Sequence, residues 1–272
     1  MSVSLRCYST SLGCPKNRVD TERLLGSLGV ALVPVESPDE AELVFINTCA
    51  FIQPATEESV RTIAQAIADI EELPKRPLLA VAGCLVGRYH AEDLAPELPE
   101  VDLWLDNSDL EAWPAMLARK LGLPEPTVPG RILSTGPSYA WLKISDGCRH
   151  ACSFCAIPNI RGGHRSHCKD MIVREARALL DQGVKELNLV AQDLTEWGCD
   201  LDGKQDLRTL LDGLLPLQGL ERLRLMYLYP AGMTHEMLKY LREAGKPFVP
   251  YFDVPVQHSH PDVLSRMGRP FA

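Results

Sequence analysis

The chain has 272 residues, 46% hydrophobic and 24% charged, an ordinary balance for a globular protein with room for two cores. Its net charge of −8 argues mildly against an extended nucleic-acid footprint on these residues, although a local basic patch stays compatible with it. No apolar run reaches the roughly 18 residues of a membrane span, and nine cysteines without a signal-peptide pattern predict a reducing cytoplasm and metal ligation over a disulfide framework.

Val3–Tyr8, Ala31–Val35, Leu43–Asn47, Leu78–Ala82 and Val101–Leu105 are apolar runs of strand length. Helical stretches fall between or after them, at about Arg18–Leu28, Glu57–Glu72 and Leu110–Leu121. Pro54 suits the start of the second helix and Pro74 its end. This alternation predicts a doubly wound parallel α/β sheet. Cys14, Cys49 and Cys84 each come soon after one of these runs. Ligand sites in open α/β sheets gather beyond the carboxyl ends of the strands, so the three can converge although they are far apart in sequence. The alternative is that each is a buried structural thiol. Cys7, Cys168 and Cys199 are read as bystanders.

A link rich in proline and glycine, Leu123–Gly130 through Gly136-Pro137, separates two halves: residues 1–122, a linker over 123–138, and residues 139–272. The second half restarts with strand Ala140–Ile144. Helix Asp170–Gln182 follows, with Asp170 expected as its N-cap and Gly183 as its stop. Strand Glu186–Ala191, helix Asp206–Leu215, strand Leu223–Tyr229, helix Thr234–Ala244 and strand Val249–Val256 come next, with a further helix starting near Pro261. Consecutive βα units on one sheet predict part of a barrel, with function in the loops after its strands.

The most informative run is Ser145-Asp-Gly-Cys-Arg-His-Ala-Cys-Ser-Phe-Cys-Ala156. Cys148, Cys152 and Cys155 have the spacing Cys-x-x-x-Cys-x-x-Cys, suited to holding three irons of a 4Fe–4S cubane and leaving the fourth open. Electron-transfer clusters are usually closed by four thiolates, and an open metal position marks catalytic sites. A zinc site completed by His150, His164 or Cys168 is the competing reading, since structural zinc takes four ligands.

Taken together, Ser11-Leu-Gly-Cys-Pro-Lys-Asn17, Phe45–Ile52, Ala82-Gly-Cys84, Leu142–Cys148 through Cys155-Ala-Ile-Pro158, Arg161-Gly162, Ala191-Gln-Asp193 and Val254–His258 resemble the radical S-adenosylmethionine methylthiotransferases over essentially the whole chain. The resemblance implies an α/β N-terminal domain, a partial radical barrel, and a small C-terminal β domain not in this sequence that binds the macromolecular substrate. It implies two 4Fe–4S clusters, an auxiliary one on Cys14, Cys49 and Cys84 and a second on Cys148, Cys152 and Cys155 that binds S-adenosylmethionine. An electron delivered to the sulfonium would release a 5′-deoxyadenosyl radical to abstract hydrogen from an unactivated carbon. The auxiliary cluster would bring the sulfur, and a second S-adenosylmethionine the methyl group. Phe154, Gln192 and Asp193 match positions near the cofactor or substrate; ordinary packing for Phe154 and a turn-starting role for Asp193 are the alternatives.

Cys14-Pro-Lys-Asn17, Gln192-Asp193 and Leu225–Pro230 favour the members that modify the β-carbon of an aspartate in protein S-twelve of the small ribosomal subunit over those that methylthiolate a tRNA adenosine. The implied partners are that protein or subunit and a low-potential flavodoxin- or ferredoxin-type electron donor. A non-catalytic electron-transfer or cluster-carrier protein is the reading from another class, and a fourth thiolate for each cluster, which is not at suitable spacing here, would mark it. His167-Cys168 stands where the family commonly has Arg-Pro, which leaves the local conformation of that loop open. An incomplete parallel sheet leaves an unpaired edge. Residues 1–272 alone are therefore expected to be inactive or poorly stable, and turnover by a folded preparation of them is the result that contradicts this.

Overall fold

A computed structural model describes residues 4–269, and the chain divides into two compact units. The first runs through Ser134 and also takes in Asn159–Arg161. Its strands are β1 (Ser4–Ser11), β2 (Ala31–Pro34), β3 (Leu43–Thr48), β4 (Leu78–Gly83) and β5 (Leu103–Asp106). They form one sheet in the order β2-β1-β3-β4-β5 with every pairing parallel. The chain winds outward in one direction to β2 and in the other through β3, so the topological switch point lies between β1 and β3. β3 is buried at every residue and β4 at all but its first, as expected for central parallel strands covered on both faces. Helices α1 (Pro15–Ser27) and α5 (Trp113–Leu121) set Leu24, Leu25, Trp113 and Leu117 against Phe45, Ala80, Ala82 and Leu105 in one core. Helix α2 (Gln53–Ile70) buries Ile63, Ala66 and Ile70.

Two helix starts lie earlier than the apolar periodicity indicates. α1 begins at Pro15, directly after Cys14, because proline is pre-shaped for the first helical position and loses no hydrogen bond there. α2 begins at Gln53, with Pro54 in its first turn. Short helices α3 (Cys84–Tyr89) and α4 (Ala91–Leu94) follow β4 and are too brief to show a helical period.

In the second unit, strands β6 (Tyr139–Lys143), β9 (Glu186–Val190), β10 (Arg222–Leu225) and β11 (Phe248–Phe252) pair in that order, all parallel. Helices α7 (Lys169–Asp181), α8 (Leu207–Leu214) and α9 (His235–Ala244) form the crossovers. This is the succession of βα units that builds a barrel wall. α8 and α9 are capped by Asp206, which accepts from the Thr209 amide, and Thr234, which accepts from the Met237 amide. Asp170 is not the cap of α7: Cys168 holds that position without a side-chain bond, and Asp170 sits in the first turn, where the helix dipole favours an anion. β10 and β11 stop short of the expected Tyr229 and Val256. Their pairing shifts register between Leu223 and Leu225, and Tyr227 (φ 65°) leaves strand geometry.

The two-residue strands β7 (Ser145–Asp146) and β8 (Arg165–Ser166), which the sequence did not forecast, pair antiparallel, with the cysteine run and the short helix α6 (Ile157–Arg161) between them in sequence; a last helix, α10, spans Pro261–Arg266, where a helix start near Pro261 was expected. Part of the expected linker is also fixed to the first unit. The Glu22 carboxylate on α1 takes the Arg131 guanidinium at 2.7 and 2.9 Å, the Ser134 amide at 2.9 Å and the Ser134 hydroxyl at 2.6 Å. The Glu22 and Arg131 side chains are 2% and 6% exposed. Breaking such a buried pair from one side typically costs about 3–5 kcal/mol, because the other charge stays buried and uncompensated. Glu22→Gln is therefore expected to lower stability on that order in urea unfolding and to expose residues 131–134 to limited proteolysis; unchanged protection there would show the pair to be dispensable.

Two candidate cysteine centres

In the first unit the three cysteines follow β1, β3 and β4, of which β1 and β3 flank the switch point. Cys14 precedes α1, Cys49 directly follows β3, and Cys84 opens α3. Gly13 adopts φ +81°, and a Cβ placed on it would lie 2.6 Å from Cys49 Cβ and 2.7 Å from its sulfur. The Cys14 loop therefore packs on Cys49 only because residue 13 has no side chain. Gly83, at φ +99°, is equally constrained: a Cβ there would meet Asn47 Oδ1 at 2.2 Å and Thr48 O at 2.6 Å.

Asn17 joins the three loops. It is fully buried, and its Nδ2 donates to Leu12 O at 2.9 Å and Thr48 O at 2.8 Å. Its Oδ1 accepts from Arg161 Nη2 at 2.5 Å and lies 3.7 Å from the Cys84 sulfur. Asn107 Nδ2 approaches that sulfur from another direction at 3.8 Å, while Asn107 Oδ1 is buried without a hydrogen-bond partner. Leaving a buried acceptor unmet costs about 1–3 kcal/mol. Ser59 fixes the Cys49 backbone, accepting from its amide at 3.0 Å and donating to its carbonyl at 2.7 Å. Burial raises the Cys49 thiol pKa, and the nearby Cys84 and Cys14 raise it further, while the Phe51 amide and the Arg161 charge oppose the shift.

In the second unit all three cysteines lie on one loop. Gly147 (φ +65°) opens it, and a Cβ there would sit 2.0 Å from Gly163 O, so only glycine lets the two ends of the loop meet. Beneath it Lys143 and Asp146 form a buried ion pair at 2.8 Å, with side chains 1% and 7% exposed. His167 completes the base: its amide donates to Ile144 O at 2.9 Å, and its ring nitrogens lie 3.1 Å from Lys143 O and 3.4 Å from Asp146 Oδ2. This resolves the departure at His167-Cys168: the histidine joins the foundation of the loop, and Cys168 is exposed at the start of α7.

Cys148 donates its amide to Gly162 O, and its sulfur accepts the His150 amide at 3.4 Å. Burial pushes the Cys148 thiol up to about 11 and also raises Cys155; Cys152 bears on both. A layer of side chains borders this trio: His150 and Asp193, which the sequence had put forward, and Tyr229 and Arg269, which it had not. The His150 ring stacks on Tyr229 at 4.0 Å and reaches Asp193 Oδ2 at 2.7 Å. Arg269 lies 4.4 Å over the Tyr229 ring, with Nη1 3.6 Å from the Cys152 sulfur.

Asp193 Oδ1 takes the Thr195 amide and hydroxyl at 2.8 and 2.7 Å. The turn-starting reading thus describes one of its oxygens and the His150 contact the other. Phe154 is exposed and Gln192 half-buried.

The chemistry of the donors fits clusters better than single ions. Zinc–sulfur bonds of about 2.3 Å bring the sulfurs of one ion within about 4 Å of one another. Among the described residues, neither trio is a donor group whose atoms all lie within 4.8 Å; the groups that meet this limit are His150–Asp193–Glu196 and His164–Cys199–Asp200. Both already have protein partners. Glu196 pairs with Arg149 at 2.5 Å, and Asp200 accepts the Ser166 amide at 2.8 Å, with His164 3.0 Å from the Ser166 hydroxyl.

Comparison with known proteins adds the context. Residues 6–106 match the family described as uncharacterized protein family UPF0004, and residues 142–271 match the radical SAM superfamily. Relatives named ribosomal protein uS12 methylthiotransferase RimO include that of Nitratidesulfovibrio vulgaris strain Hildenborough, 69% identical over 97% of this chain and 62% of the relative. That of Lawsonia intracellularis is 61% identical over 100% and 62%, and that of Aquifex aeolicus 47% identical over 95% and 57%. The chain therefore spans about three fifths of the length of these relatives. Among solved structures, the fold is similar to the radical S-adenosylmethionine methyltransferase TsrM from Kitasatospora setae with tryptophan and a SAM analogue bound (TM-score 0.65, 14% identity, 96% of this chain and 60% of that one). It is also similar to the cobalamin-dependent radical enzyme OxsB (TM-score 0.58, 14% identity, 97% and 45%). At these identities the likeness is one of fold.

Asn17→Ala removes the contacts that tie the Leu12, Thr48 and Cys84 segments together. It is expected to cost about 1–3 kcal/mol for the buried groups left unmet. Iron bound after anaerobic reconstitution should fall toward the content of a single centre. Full iron retention would show that the three loops hold their places without the clamp.

Proposed function

Because the chain belongs to the radical S-adenosylmethionine methylthiotransferase family, we propose that it is the cluster-bearing part of an enzyme that methylthiolates protein S-twelve of the small ribosomal subunit. The observation that carries this reading is the pair of three-cysteine centres, each set beyond the carboxyl ends of strands in its own parallel sheet. Three protein ligands in place of four leave each centre open to a further group. The relatives that carry the S-twelve name, at up to 69% identity, support that substrate class over tRNA.

Cys14, Cys49 and Cys84 would hold one cluster and Cys148, Cys152 and Cys155 the other. When bound, the clusters and S-adenosylmethionine supply the reducing electron, the radical, the sulfur and the methyl group. The residues of the chain bind and orient. Gly147 and the Lys143–Asp146 pair set the radical-centre loop. Asp193 fixes His150, which stacks on Tyr229, so that this side of the trio presents a rigid aromatic wall. Phe154, exposed beside Cys155, has a free face for an adenine ring. Gln192, two residues beyond the end of β9, is suited to a polar contact with cofactor or substrate; Asp193 acts chiefly through His150. A low-potential flavodoxin or ferredoxin would supply electrons. A ribosomal substrate implies a cytoplasmic enzyme. In the described residues no helix is long and apolar enough to cross a membrane.

Intact-mass analysis of protein S-twelve tests the assignment. The methylthio increment is expected to disappear in cells lacking the gene, to return with the full-length wild-type protein, and not to return with Cys14→Ala or Cys152→Ala. Persistence of the increment in the deletion strain sinks the substrate assignment. In the reduced full-length protein, S-adenosylmethionine is expected to perturb an EPR signal that Cys152→Ala abolishes.

A further inference from the structure

Arg161 is a buried cation next to the first cysteine centre, and the proposed mechanism gives it no task. It lies six residues beyond Cys155 in sequence but groups with the first unit. Its Nη2 donates to Asn17 Oδ1 at 2.5 Å and to Asp20 Oδ2 at 3.1 Å. The Arg161 and Asp20 side chains are 1% and 2% exposed. The Ile160 carbonyl is pressed against α3, where a Cβ on Gly87 would meet it at 2.4 Å, so the backbone that carries the arginine is fixed as well.

We propose that Arg161 is the positioning and charge-setting residue of the auxiliary centre: its guanidinium orients the Asn17 carboxamide that spans the three cysteine loops, and its charge stabilises the reduced cluster held by Cys14, Cys49 and Cys84. Arg161 and the Cys84 sulfur lie on the same Asn17 oxygen, at 2.5 and 3.7 Å. That places the charge one side-chain atom from a ligand sulfur. In a dry interior a charge at this range is weakly screened, and the charges and hydrogen bonds around a cluster are among the levers that set its potential. The charge of Arg161 also acts on the Cys49 thiol, in the direction that favours the thiolate. Asp20, bound by the same Nη2, offsets part of the effect. The two residues therefore exert opposite influences on a cluster that gains negative charge on reduction.

This inference rests on the assignment of a cluster to the first trio, and the experiment separates the two. The full-length protein carrying Cys148→Ala, Cys152→Ala and Cys155→Ala retains only the auxiliary cluster, whose midpoint potential is read by EPR-monitored redox titration. Arg161→Gln is expected to lower the potential, shifting the ratio of oxidised to reduced cluster at fixed ambient potential at least tenfold, or 59 mV for a one-electron couple. Asp20→Asn, which keeps the cation and removes the anion, is expected to raise it, and Arg161→Lys to fall between Gln and wild type. Shifts of opposite sign are not produced by loosened packing, so the pair reads charge even if one variant is less stable. Equal potentials in all variants, or shifts in the same direction, overturn the role of Arg161. A wild-type protein in this background that binds no cluster overturns the auxiliary assignment and this inference together.

Discussion

In each of the two main sheets every strand runs parallel to its neighbours, and the rest of the structure depends on this. A parallel sheet sends every strand-following loop to the same edge, while the return connections cross as helices on its faces. Sulfur atoms carried on such loops are gathered by topology before any side chain interacts. The two units use that edge differently. One collects a cysteine from each of three loops around the switch point; the other places three on a single loop after its first strand.

The two solutions make different demands on their surroundings. A single loop with close cysteine spacing has its donors near one another by covalent connection, so what must be fixed is its base. The β7–β8 pairing, Gly147 and the Lys143–Asp146–His167 group do this. An ion pair so deeply buried earns little net stability against its desolvation, and its place under the loop is better understood as fixing one geometry. Three separate loops have no such covalent guarantee. Their alignment falls to groups that reach across strands: Asn17 from α1, Thr48 to the Ala82 carbonyl at 2.6 Å, and Ser59 from α2. Gly13 and Gly83 add close backbone approach where a side chain would hold the loops apart.

The fold was legible in the sequence because long amphipathic helices and apolar strand runs repeat with the periods of their elements. The six candidate cysteines were put forward for different reasons, the second trio from spacing alone and the first from strand-end placement, strengthened by resemblance. Less legible was the polar layer. Arg161, Asp193, Tyr229 and Arg269 act across separations of 43 to 144 residues, and one sequence carries no signal for such pairings. Short elements such as α3, α6 and β7–β8 were lost because one turn or two residues contain no measurable period. Asp170 was misplaced as a cap because Asp suits both the cap and the first turn, and Cys168 took the cap position with no side-chain bond to reveal it.

Burial of the thiols sets how the proposed centres would take up their clusters. With the protein alone, Cys148 is pushed up to about 11 and Cys49 and Cys155 rise above the ordinary thiol range, chiefly because a thiolate would be desolvated. Near neutral pH these three therefore stay as thiols, poor nucleophiles for disulfide exchange, and all nine cysteines are free. A metal cluster bound there would replace those protons with a concentrated positive charge and favour the thiolate in the same desolvated setting. The same low polarity that keeps the protein-only thiols inert thus strengthens their attraction to iron. It also leaves the few nearby cations, Arg161 at one centre and Arg269 at the other, to act with little screening from water.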